Sequence, residues 1–169
     1  LNDVEKAKGL TLENKMVRNR LVNDSLTASL KSKPSPIYNQ KFAERISTGN
    51  LEDDLHKIKD VDWIIEVVVE RLDIKQALYR RLSDTCKEST IITSNTSTIP
   101  IKLLTEGMPT EFCERFAITH FFNPVRYMRL LELVRGEFTR DDVINTLDVF
   151  SEINLGKGVV SCSDTPGFL

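Results

Sequence analysis

His120 and Glu132 are two residues whose types and spacing suit acid–base chemistry. His120 follows the apolar run Phe116-Ala117-Ile118, and Glu132 lies in the middle of the next apolar run. The first run predicts a short buried strand ending at His120. Residues 127–134 predict a second strand, with Asn123-Pro124 in the turn between them. A histidine from one strand end beside a carboxylate from its neighbour is the arrangement a general base needs. The carboxylate holds one ring nitrogen, fixes the tautomer and raises the basicity of the other. The same spacing also accommodates a satisfied core histidine and a surface carboxylate.

The rest of the chain supplies elements that would position such a pair. Met16 to Lys33 places Val17, Leu21, Val22, Leu26 and Leu30 at helical spacing, which predicts a long amphipathic helix ended by Lys33-Pro34-Ser35-Pro36. Residues 42–48 read as a marginal strand, and Leu51 to Lys59 as a short helix whose acidic-to-basic order suits the helix dipole. Asp62 to Glu70 holds the strongest strand signal, Trp63-Ile64-Ile65-Glu66-Val67-Val68-Val69, a nearly continuous β-branched run expected to be covered on both faces. A helix over residues 73–87 follows, with Ile74, Leu78 and Leu82 on one side. Then come a strand at 90–93 and the polar turn Ser94-Asn95-Thr96-Ser97-Thr98, with Pro100 opening a helix that holds Leu103 and Leu104. Asp141 to Ile153 reads as a helix stopped near Gly156, and Gly158 to Cys162 as a last strand. This alternation predicts an α/β fold, a mainly parallel sheet with helices packed on it. Ligands of such sheets bind outside the carboxyl ends of the strands, where Glu70, the Asn95–Ser97 turn and His120 are all expected.

Composition narrows the function classes. The 169 residues carry 23 basic and 25 acidic side chains, interleaved and without a long basic run, so nothing favours nucleic acid or an anionic membrane surface. No apolar run is long enough to span a bilayer. Cys86, Cys113 and Cys162 are far apart and lack metal-ligand spacing, which predicts free thiols, a reducing compartment and a cytoplasmic location. No metal site is expected. The first residue, Leu1, and the apolar ending Pro-Gly-Phe-Leu suggest a segment of a longer protein.

Four blocks carry a resemblance. Asp62 to Glu70 with Lys75 five positions on, Ser94-Asn95-Thr96-Ser97, His120-Phe121-Phe122-Asn123-Pro124 and Asp164-Thr165-Pro166-Gly167-Phe168 resemble the NAD-binding domain of the 3-hydroxyacyl-CoA dehydrogenases, in order and in spacing. The match runs from about Asn50 to Leu169. The chain is especially similar to the long bacterial fusion-type enzymes of fatty-acid β-oxidation, whose helical insertion also carries a Lys-Gly-Leu-Thr before a Lys/Pro-rich loop, as at Lys8 to Thr11 and Lys31 to Pro36.

The resemblance implies a Rossmann-like domain with helices on both faces of the sheet, NAD as cofactor and a 3-hydroxyacyl-CoA as substrate. It implies that His120 is the general base or acid, that Glu132 is its partner, and that Ser97 lies beside the substrate oxygen and the cofactor. Glu70 and Lys75 are then the NAD-contacting pair, with Asn95 and Asn123 as the amides near the nicotinamide and its ribose. One departure bears on activity. The sequence contains no G-x-G-x-x-G loop, the family's pyrophosphate cradle. The resemblance further implies a helical domain after the Pro-Gly-Phe, which is expected to lie outside this sequence. The expectation is therefore a partial NAD-binding domain, residues 1–169, lacking its first strand and glycine loop, with residues 10–40 as a helical insertion and homo-oligomerisation assigned to that C-terminal domain.

Other readings stand beside this one. Glu70 could end a strand in solvent, Asn95 and Ser97 could bond their own backbone, and Lys75 could be a solvated helix charge. The fold could serve a non-catalytic binding or structural protein, or a dehydrogenase of another 3-hydroxy acid. A serine hydrolase using Ser97 and His120 is disfavoured, because Asn-Thr-Ser-Thr lacks the glycines of a nucleophile elbow. His56 reads as structural or solvated.

Overall fold

The computed structural model of the protein describes residues 1–168, which fall into two units, Leu1–His56 and a second that begins at Lys57. In the first unit, asparagines start the helices. Asn2 and Glu5 form a reciprocal capping box at α1 (Asp3–Ala7), and Asn14 caps α2 (Lys15–Arg18). The long helix expected over 16–33 is instead α2 followed by α3 (Arg20–Lys31), with Asn19 between them. Val22, Leu26 and Leu30 are partly covered at i, i+4, i+8 spacing, whereas Leu21 is exposed. Residues 42–48 form no strand. Asn39 caps a 3-10 helix over Gln40–Arg45, in which the Arg45 guanidinium lies 4.5 Å from the Phe42 ring centroid, so local capping outweighs weak strand propensity. Ion pairs close the unit: Lys15 to Asp54 at 2.9 Å and Arg18 to Asp53 at 2.8 Å. In place of the helix expected over 51–59 there is a turn and a 3-10 helix, Leu55–Asp60.

The second unit is a five-stranded sheet in the spatial order of its strands: β1 (Trp63–Glu66), β2 (Ile91–Ser94), β3 (Phe116–Phe121), β4 (Leu130–Arg135) and β5 (Gly158–Cys162). The β1–β2, β2–β3 and β4–β5 pairs are parallel and β3–β4 is antiparallel. Helices α4 (Leu72–Thr85), α5 (Ile101–Leu104), α6 (Thr110–Cys113) and α7 (Asp141–Ile153) connect them. The four-residue α6 had no distinct signal in the sequence.

Strand alternation puts helices on both faces. On one face Phe116 meets Tyr79 of α4 and Phe112 of α6, with ring centroids 5.1 and 5.5 Å away. On the other, Ala117 and Leu133 pack against Val143 and Leu147 of α7, and Trp63 meets Phe150 edge-on at 5.9 Å. Full burial of Phe112, Phe116, Leu133 and Leu147 stabilises the fold by about 1.5–3 kcal/mol each. Gly156, at φ +66°, supplies the left-handed residue just beyond α7.

The strongest strand signal gave a shorter strand than expected. β1 ends at Glu66, and Val67 and Val69 are 68 % and 58 % exposed rather than covered on both faces. The Val68 N–H donates to the carboxylate of Glu66 at 2.6 Å, which turns the chain out of the ladder. Among the described residues β1 is also the sheet edge, paired on one side by β2.

Candidate active site

Register decides which side chains share a face. Glu66 pairs with Ser94, Ser94 with Ile118, and His120 with Glu132. By alternation Glu66, Ser94, His120 and Glu132 all project from the α4 side of the sheet. The parallel strands β1 to β3 end along one rim, where the Glu70 loop, the Asn95–Ser97 turn and His120 come together.

The antiparallel pairing of β3 with β4 sets His120 directly opposite Glu132. Nδ1 of His120 lies 2.6 Å from Oε2 of Glu132, the ring N–H donating and the carboxylate accepting. Glu132 is 2 % exposed, whereas about a fifth of the His120 side chain reaches solvent. The bond therefore anchors the ring from inside and leaves Nε2 as the nitrogen with a lone pair. Phe122 and Phe168 flank the imidazole, with ring centroids at 4.8 and 6.0 Å. Phe168 arrives there through the segment after β5. Asp164 accepts from the Ile101 N–H at 2.9 Å, and the Gly167 N–H donates to the Ser97 carbonyl at 2.8 Å. Two sequence blocks far apart in the chain thus meet at one imidazole.

The second cluster lies at the ends of β1 and β2. Glu70 is exposed, and its carboxylate accepts from the hydroxyls of Thr96 and, at 2.8 Å, Thr98; the Lys75 ammonium stands 3.2 Å away. Partial burial opposes the Glu70 charge, but the two hydroxyls and Lys75 outweigh it and hold the carboxyl below the usual carboxylate range. Lys75 is 1 % exposed and bonds both oxygens of Glu66, at 2.9 and 3.0 Å. Its ammonium thus lies beneath Glu70 rather than on the open rim. Asn95 ties the ends of β2 and β3 together: its Oδ1 accepts from the Phe121 N–H at 2.8 Å. Ser97 is half-buried and Asn123 exposed, the latter preceding Pro124 across a cis peptide.

Glu66 and Tyr79 were given no role from the sequence, and Ser94, Thr96 and Thr98 entered only as members of a polar turn, yet all five organise this cluster. The signal for Glu66 and its partners was a single carboxylate inside an otherwise apolar run, Trp63 to Val69. A lone charge there calls for a buried partner, and Lys75 sits nine residues on. Tyr79 donates to Glu66 at 2.6 Å, and burial together with that carboxylate pushes its phenol pKa above the ordinary range.

Residues 7–165 match the sequence model of the 3-hydroxyacyl-CoA dehydrogenase, NAD-binding domain. The chain belongs to this family. It is 43 % identical over its full length to a probable 3-hydroxyacyl-CoA dehydrogenase of Bacillus subtilis. It is 46 % identical over 89 % of its length to a putative fatty acid oxidation complex trifunctional enzyme of Rickettsia felis. The chain spans 21 % of the length of each of these two curated relatives. Among solved structures, the 3-hydroxybutyryl-CoA dehydrogenase of Escherichia coli superposes with a TM-score of 0.69 at 32 % identity, over 88 % of this chain and 29 % of that one. The fold is Rossmann-like and the family's cofactor is NAD.

The residues present suit one half of that cofactor. A carboxylate, two amides and a hydroxyl at the strand ends offer acceptors and donors of the kind that ribose hydroxyls and a carboxamide require. The glycine-rich turn that holds a pyrophosphate is not in this sequence. No described helix is long and apolar enough to cross a membrane, and the three cysteines are free thiols.

Proposed function

We propose that this chain carries the catalytic dyad and the nicotinamide-side half of the cofactor site of an NAD-dependent 3-hydroxyacyl-CoA dehydrogenase acting in fatty-acid β-oxidation. The observation that supports this best is the 2.6 Å bond between His120 and Glu132, buried at its carboxylate end and open at the ring. Oxidation of a secondary alcohol removes a proton from oxygen and a hydride from carbon. His120 takes the proton through Nε2, which needs the hydroxyl within about 3 Å. Bound NAD supplies the hydride acceptor. Glu132 holds the ring by Nδ1–H and favours the imidazolium as it forms. In the reverse direction the same imidazolium gives its proton to the oxygen of a 3-ketoacyl-CoA.

Other roles follow from position. Ser97 stands next to the substrate oxygen and the cofactor, Asn95 and Asn123 serve the nicotinamide and its ribose, and Glu70 accepts from cofactor hydroxyls. Lys75 acts from beneath, on Glu70. In domain terms, residues 1–169 form a partial NAD-binding domain in which residues 10–40 are a helical insertion.

The test is NADH consumption with acetoacetyl-CoA, followed by absorbance in the intact native protein beside its His120→Ala variant. Consumption that depends on His120 supports the dehydrogenase. No consumption with NADH bound moves the reading to another 3-hydroxy substrate, and no NADH binding favours the non-catalytic alternative.

A further inference from the structure

Glu66 takes no part in the proposed proton transfer, is 3 % exposed, and is among the most thoroughly bonded side chains of the second unit. Oε1 accepts from the Val68 N–H at 2.6 Å and from Lys75 at 2.9 Å. Oε2 accepts from Lys75 at 3.0 Å, Tyr79 at 2.6 Å and Ser94 at 2.7 Å. The Glu66 carbonyl accepts from the Asn95 N–H at 2.9 Å. A leucine would fill this space without the desolvation cost of a carboxylate, so packing alone does not account for a glutamate here.

What the carboxylate touches does account for it. Its Val68 bond ends β1 and turns the chain toward Glu70. Its Ser94 bond ties it to the end of β2, where the Asn95–Ser97 turn begins. Lys75 lies between Glu66 and Glu70, so its single positive charge is already balanced by Glu66. The net negative charge of the three then rests on Glu70, the member that reaches solvent.

We propose that Glu66 is the positioning residue of the cofactor rim: it neutralises and immobilises Lys75, and thereby sets both the place and the charge of Glu70. The inference rests on the reading of Glu70 as a cofactor contact. Without Glu66 the Lys75 ammonium would cancel the Glu70 charge and draw that carboxylate inward, away from a ligand's donors.

The experiment is an NADH fluorescence titration of the intact native protein and of Glu66→Gln, with steady-state kinetics on acetoacetyl-CoA. Glu66→Gln should raise the NADH Kd and the KM for NADH about tenfold, the scale of one charge-assisted bond. At saturating NADH, kcat and the KM for acetoacetyl-CoA should stay within about twofold. Adding Lys75→Met to Glu66→Gln removes the uncompensated ammonium and should recover at least about threefold of the lost NADH affinity. A Glu66→Gln protein with native NADH affinity, or one that loses kcat with that affinity unchanged, overturns the proposal. If Glu66→Gln does not fold, Tyr79→Phe with Ser94→Ala decides. It strips two anchors from Oε2, keeps the ion pair and should raise the NADH Kd about threefold; a native Kd overturns the proposal. Failure of the unaltered protein to bind NADH instead removes the functional reading beneath it.

Discussion

Glu66 and Glu132 are two glutamates on the same face of one sheet, 3 % and 2 % exposed, and they are bonded in opposite ways. Glu66 is enclosed by an amide, an ammonium and two hydroxyls, all inside the fold. Glu132 bonds an imidazole that itself reaches solvent. Burial of a carboxylate therefore does not say what it is for; the exposure of its partner does. A partner that is also buried makes the carboxylate a fixture of the architecture, because no ligand can approach. A partner at the surface passes the carboxylate's charge on to whatever binds there.

The contrast breaks most sharply at His120. His120→Ala should lower turnover about a thousandfold, within the range for loss of a general base, while NADH affinity stays within about twofold. Steady-state rates beside an NADH titration check this, and near-normal turnover would refute the assigned chemistry. Lys75→Met should be the largest stability effect in the second unit's polar network. It leaves Glu66 buried without its countercharge, at a cost of about 3–5 kcal/mol read by denaturant unfolding.

Glu132→Gln should show the reverse balance. We expect turnover to fall about a hundredfold, since the ring loses the charge that favours the imidazolium, while the unfolding free energy changes by less than about 1.5 kcal/mol because the neutral amide can still accept from Nδ1–H. Equal losses of stability in Glu132→Gln and Lys75→Met would erase the distinction between the two carboxylates.

Glu70→Gln gives the smallest effect and sharpens the comparison by pH. The folded state holds the Glu70 carboxyl below its unfolded value. Its contribution to stability is thus complete above the unfolded pKa, about 4.3, and is lost as pH falls through the lower folded value. Thermal unfolding of native protein should therefore lose more stability than Glu70→Gln does on acidification below about pH 5. Parallel curves would show that Thr96, Thr98 and Lys75 do not hold the charge. The same variant should weaken NADH binding several-fold, on the scale of one hydrogen bond to a charged group.

Elements with strong, local signals were legible in the sequence. The helix over 141–153 and the strand over 158–162 have the predicted bounds, because their periodicity and flanking glycines are read within a few residues. The turn at Asn123-Pro124 and the helix after Pro100 were legible for the same reason. The strand over 42–48 was misread, since a short run of mixed propensity takes its state from whether a neighbouring strand exists to pair with it. The run Trp63 to Val69 was read too long, because a side chain's own hydrogen bond to the backbone, here Glu66 to Val68, is invisible to hydropathy.

By itself the sequence determined the alternation of strands and helices and the family motifs, and only the family resemblance implied a partnership of His120 with Glu132 twelve residues on. Tertiary structure alone decided that β3 and β4 run antiparallel in the register that opposes His120 to Glu132, since a shift of one residue would put one of them on the other face. It alone decided that Lys75 is buried and Glu70 is not. Both lie in one polar-looking stretch, and which of two charges goes inside depends on whether a countercharge waits there, which Glu66 provides across nine residues of chain.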